Sequence, residues 1–129
     1  MAFGVCALLF LQTVDQYYSG SNTLFQHAGV RWVLDSVFEQ LQLNSTYKFN
    51  VVEQAFFQMW YQRLPQSKQQ AVQRLVHNGQ LNFINGGYCM HDEAAPSYSD
   101  MIDQTTLGHK FLIDEFGFRP RVGWQIGQY

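Results

Sequence analysis

The chain has 129 residues, 47% of them apolar and 16% aromatic, with a formal charge of −2. That length and apolar share give one domain, or part of a larger one, a core to bury, and exclude a disordered chain. With no Lys/Arg-rich run, the sequence also excludes neutralisation of a nucleic-acid backbone and a polybasic membrane patch.

Met1 to Phe10 carry no charge and are mostly apolar. They lack the basic start and small-residue cleavage site of a secretion signal, and a membrane span would need about 20 apolar residues. A buried strand is the expectation here, with a signal remnant or a divergent start of no role as alternatives. Residues 24–42 predict an amphipathic helix, because Val30, Val33, Leu34, Val37, Phe38 and Leu41 recur at three- and four-residue steps. Asn44-Ser45-Thr46 breaks that pattern and is an N-glycosylation acceptor triplet in an expected loop.

Tyr47 to Val52 is aromatic and β-branched, as a buried strand would be. A helix follows from Gln54 to Leu64 and ends before Pro65, since a residue preceding proline avoids the helical region. Ser67 is expected to cap the next helix, which runs to Asn78-Gly79. Leu81 to Asn85 predicts another strand. Ser97 or Ser99 is expected to cap a helix ending at Phe116-Gly117, and Arg121 to Ile126 reads as a final strand. Strands alternating with helices imply an α/β fold with a parallel sheet and right-handed crossovers, in one domain spanning 1–129. A sheet of four such strands is expected to be incomplete, because its last edge has no neighbour.

The densest chemistry lies in Asn85-Gly86-Gly87-Tyr88-Cys89-Met90-His91-Asp92-Glu93-Ala94, where a Gly pair leaves a strand and leads into a His and two carboxylates. Taken with Thr13-Val14-Asp15-Gln16-Tyr17-Tyr18, Val52-Glu53-Gln54-Ala55-Phe56-Phe57 and Trp124-Gln125-Ile126, this stretch resembles the N-terminal catalytic region of the lysosomal-type α-mannosidases, glycoside hydrolase family 38. The resemblance implies a zinc-dependent, retaining hydrolase that removes terminal α-linked mannose from N-glycans, in the lysosome or secretory pathway. It also implies a parallel-strand β/α barrel-like domain, seven-stranded in the family, with about the first half present here.

Carried over residue by residue, the family's first motif, His-x-Asp-x-Gly-Trp, puts its zinc-binding His on Val5, its zinc-binding Asp on Ala7 and its Trp on Phe10. Its later motif, Trp-x-Ile-Asp-Pro-Phe-Gly, matches Trp124 and Ile126 but places the nucleophile and metal-ligand position on Gly127. No lone pair for zinc and no nucleophile exists at any of these positions. The chain is therefore expected to bind no zinc and to be inactive alone, as a truncated or mis-assembled member of the family. Two alternatives belong to other classes: a non-catalytic mannoside-binding protein, and a structural fragment that associates with a full-length relative.

Asp15, Tyr17, Glu53, His91, Asp92, Glu93 and Trp124 remain as residues that can support a sugar cleft. All but Trp124 also have a plainer reading. Asp15 can cap a helix while Tyr17 and Tyr18 pack, and Glu53 can be a buried charge held by backbone donors. Adjacent side chains in His91-Asp92-Glu93 point to opposite faces and grip a single metal poorly. His109 is expected to be packed and hydrogen-bonded, while His27 and His77 read as surface or boundary residues. Trp60 is expected at a helix-to-sheet contact. Cys6 and Cys89 can pair, though buried free thiols are the preferred reading.

Overall fold

The structure is a computed structural model and describes residues 29–91 and 97–125. Helix α1, Val30–Leu43, forms where the apolar spacing predicts it and buries Val30, Leu34, Phe38 and Leu41 along one stripe. Asn44 ends it in an extended conformation. Strand β1, Phe49–Val51, buries Phe49 and Val51 on one face and turns Asn50 to the other. Two helices, α2 (Gln54–Tyr61) and α3 (Gln66–His77), then carry the chain to β2, Leu81–Phe83. The two strands pair in parallel with Phe49 beside Leu81, Asn50 beside Asn82 and Val51 beside Phe83. Helix α4, Tyr98–Phe116, follows and ends on Gly117, whose φ of 62° no β-carbon has to tolerate.

Local chemistry sets several of these boundaries. Pro65 is itself the extended residue before α3, and no side chain caps that helix. Ser67 lies inside the first turn instead, because the proline both closes the preceding segment and pre-sets the entry to the next. At α4 the cap is Ser97, whose side chain accepts from the Asp100 N–H at 3.4 Å. The strand expected over Arg121–Ile126 does not form across the described residues 121–125. The Asn85 N–H donates to the Val122 carbonyl at 2.6 Å, but no ladder extends from it. The expected first strand, Met1 to Phe10, lies outside the described residues.

One core joins the helices to the inner face of the strands. Phe57, only 1% exposed, is its centre. Its ring meets Phe83 at 5.1 Å, Trp60 at 5.6 Å and Phe116 at 6.0 Å, so α2, β2 and α4 converge on a single side chain. Aromatic pairs of this kind contribute about 0.5–1.5 kcal/mol each beyond the area they bury. Trp60 lies edge-on to Phe38 of α1 and donates its Nε1–H to Asp35 at 2.8 Å, so it joins two helices. Among the described residues no helix is long and apolar enough to cross a membrane.

Candidate functional site

Parallel pairing brings the ends of β1 and β2 to the same edge of the sheet, and the loops that leave them meet there. After β1 come Val52 and Glu53, then the first turn of α2. After β2 the backbone bends sharply: Asn85 has φ 61° and Gly86 φ 89°. The bend returns the chain to α2, whose opening N–H groups at Gln54 and Ala55 donate to the carbonyls of Gly87 (2.9 Å) and Tyr88 (3.2 Å). A helix N-terminus leaves such donors without partners inside the helix, and here the loop supplies them.

The bend also requires glycine at a distance. A β-carbon on Gly108 of α4 would meet the Gly86 carbonyl and lie 3.0 Å from Gly87 Cα. One on Gly86 would lie 2.6 Å from Pro120 and 2.7 Å from the His109 ring. The backbones of the strand-end loop and α4 therefore touch directly. His109 completes that contact through Nε2 and the Asn85 carbonyl at 2.9 Å, the packed and hydrogen-bonded role expected of it.

Polar side chains then tie the loop in place. Gln104 is bidentate to Cys89, accepting its N–H at 3.0 Å and donating to its carbonyl at 3.1 Å. Gln125 accepts from the His91 N–H at 2.6 Å and donates to Asn85 Oδ1 at 2.9 Å. The Thr105 hydroxyl donates to the Met101 carbonyl at 2.8 Å, so toward His91 Nε2, also 2.8 Å away, it accepts. In that arrangement Nε2 donates to the hydroxyl.

Glu53 faces the same loop, with Oε1 accepting from the Met90 N–H at 3.3 Å. Burial pushes its carboxyl above the ordinary range, against the opposing pull of that N–H. Desolvation, followed by the neighbouring Glu53 charge, pushes the Cys89 thiol up as well. Cys89 is free and exposed, which corrects the expectation of a buried thiol. Trp124 is half-buried, and among the described residues neither its indole N–H nor Oε1 of fully buried Gln54 has a hydrogen-bond partner.

The edge thus gathers Glu53, His91 and the Trp124–Gln125 segment. Val5, Ala7, Asp15, Tyr17, Tyr18, Asp92, Glu93 and Gly127 lie outside the described residues, as do Cys6 and His27. His77 is exposed on α3, as expected, with Nδ1 against the Gln73 carbonyl at 2.7 Å. Asn85, Gln104, Thr105 and Gln125 organise the loop but carry no motif of their own. Their only sequence signal is position: a residue opening the Gly pair, one within the mannosidase-like Trp-x-Ile match, and two on the helix that follows.

Helices packed against parallel strands, with polar residues collected where the described strands end, define an α/β arrangement. The family model for the glycosyl hydrolases family 38 N-terminal domain matches residues 8–129, and the chain belongs to that family. It is similar to an alpha-mannosidase of Arabidopsis thaliana, 57% identical over 120 residues. The lysosomal alpha-mannosidase of Dictyostelium discoideum is 50% identical over 120 residues, and that of Homo sapiens 47% over 122. Each alignment covers 93% of this chain and 12% of the relative, so the chain spans about an eighth of the length of the proteins it matches.

Proposed function

We propose that this chain is the N-terminal framework of an α-mannosidase, a hydrolase of terminal α-linked mannose in N-glycans, and that it carries no turnover alone. The carrying observation is identity near one half to alpha-mannosidases across nearly the whole chain. The grouping of Glu53, the His91 loop and Gln125 at one strand edge supports the same reading. The parallel strands, with Asn50 and Asn82 side by side on the face away from Phe49 and Leu81, support an arc of the seven-stranded barrel-like domain. Relatives named lysosomal support a lysosomal or secretory location.

Zinc does not fit the residues that stand at the family's ligand positions, as its motifs carry over to this sequence. Among the described residues no three His, Cys, Asp or Glu side chains converge, and the positions answering to the family's ligands hold Val5, Ala7 and Gly127. Retaining hydrolysis needs two carboxyl groups about 5 Å apart, and Gly127 supplies none. What the described residues do is structural: Gln104 and Gln125 fix the loop after β2, and Gly86 and Gly108 let it lie against α4.

Two measurements test the reading. The purified chain should release no nitrophenol from a nitrophenyl α-mannoside with or without zinc; zinc-dependent turnover would overturn the inactivity. Residues 11–125, grafted between the zinc-binding and nucleophile motifs of an active relative, should preserve its mannosidase activity. A folded but inactive graft would overturn the framework assignment.

A further inference from the structure

We propose that Asn44 is an N-glycan acceptor, presented by the turn that closes α1, for an oligosaccharide carried on a lipid pyrophosphate. The inference stands apart from the catalytic reading, because the turn precedes β1 and so lies at the opposite edge of the sheet from the strand-end loops. Asn44-Ser45-Thr46 is the sole Asn-x-Ser/Thr triplet in the sequence. The structure adds a geometry that the triplet alone does not guarantee.

Asn44 Oδ1 accepts from the Thr46 N–H at 2.9 Å and from the Thr46 hydroxyl at 2.7 Å, closing an Asx turn. Nδ2 is left outside these bonds. The backbone beneath is pinned on both sides: the Asn44 N–H donates to the Gln40 carbonyl at 3.1 Å, and the Asn44 carbonyl accepts from Gln80 Nε2 at 3.0 Å. Ser45, Thr46, Tyr47 and Lys48 are all exposed. Asn44 itself is half-buried beside these exposed residues, and the pinned backbone fixes its attachment point.

The chemistry agrees with the geometry. An amide nitrogen is a poor nucleophile because its lone pair is delocalised onto oxygen. Two donors on Oδ1 stabilise negative charge there and so make the Nδ2–H easier to remove. In the transfer, the Nδ2–C1 bond forms as the C1–O bond to the lipid pyrophosphate breaks. The pyrophosphate leaves with the electron pair, a carboxylate base of the transferase takes the amide proton, and nothing is oxidised or reduced. The hydroxyl at Thr46 is the second requirement of the acceptor triplet. Ser45 takes no part in the turn bonds.

The test is expression of the full chain behind a cleavable secretion leader in eukaryotic cells. An acceptor triplet appended to its C-terminus reports entry into the lumen, and glycans removable by peptide-N-glycosidase are located by mass. The parent and Ser45→Ala should carry glycan at both Asn44 and the reporter, whereas Asn44→Gln and Thr46→Ala should keep the reporter glycan only. A parent glycosylated at the reporter and bare at Asn44 would overturn the proposal, as would Thr46→Ala retaining full occupancy at Asn44.

Discussion

Glu53 stands at the handover from β1 to α2 with its carboxyl half-buried against the loop after β2. Burial raises its pKa above the ordinary 4.5. The sign follows from linkage: the folded state holds the proton more tightly than the unfolded chain. The protonated form's contribution is therefore complete below the ordinary value and is lost as pH rises through the folded one. Glu53→Gln keeps an acceptor for the Met90 N–H and removes the charge. Its melting temperature should exceed the parent's at about pH 7, with the difference shrinking toward about pH 4. A difference that stays flat across that range would show that burial of the charge is not the cause. The sequence made Glu53 visible, because a carboxylate just past a strand invites attention. Gln104 and Gln125 stayed hidden for the opposite reason: a neutral amide marks no chemistry until the loop it clamps has been placed.

Gln80 couples elements in the same silent way. It is 6% exposed, and Nε2 donates to the carbonyls of Leu41 (2.7 Å), Asn44 (3.0 Å) and Tyr47 (3.4 Å). These acceptors span the end of α1 and the loop into β1, so one amide closes a helix against a sheet. Gln80→Ala leaves the buried bond to Leu41 unmade and should cost about 1–3 kcal/mol, read as a lower urea midpoint at unchanged slope. Loss of the midpoint shift would mean the carbonyls find other partners. Helices were the legible elements, because a repeat near 3.6 residues survives in a single sequence: α1 and α3 bury the apolar stripes that mark them, and α4 starts at the Ser97 cap and ends at Gly117. The strand expected over Arg121 to Ile126 does not form across its described residues, 121–125. Extended residues become a strand only when a neighbour supplies a ladder, and there the described backbone offers one bond, from Asn85 to Val122. Pro65 ends one helix, as its sequence predicts, and is also the entrance to the next.

Across the molecule, the α/β class follows from the alternation of elements, and the family follows from motifs scattered between Thr13 and Ile126. A tightly bound ion that prefers the native state raises stability by mass action, by about 2.7 kcal/mol at a hundredfold excess over its dissociation constant. With hydrocarbon or hydrogen at positions 5, 7 and 127, zinc should leave the melting temperature of this chain unchanged. A saturable, stoichiometric upward shift would reveal donors elsewhere.

Asn50 and Asn82 lie opposite one another in the parallel register, half-buried on the side of the strands away from Phe49 and Leu81. An oily surface pressed over that pair would strand amide groups at about 1–3 kcal/mol apiece, whereas a surface offering its own donors and acceptors would not. Indiscriminate greasy association is thus penalised at this face, and only a neighbour that speaks in hydrogen bonds can settle there.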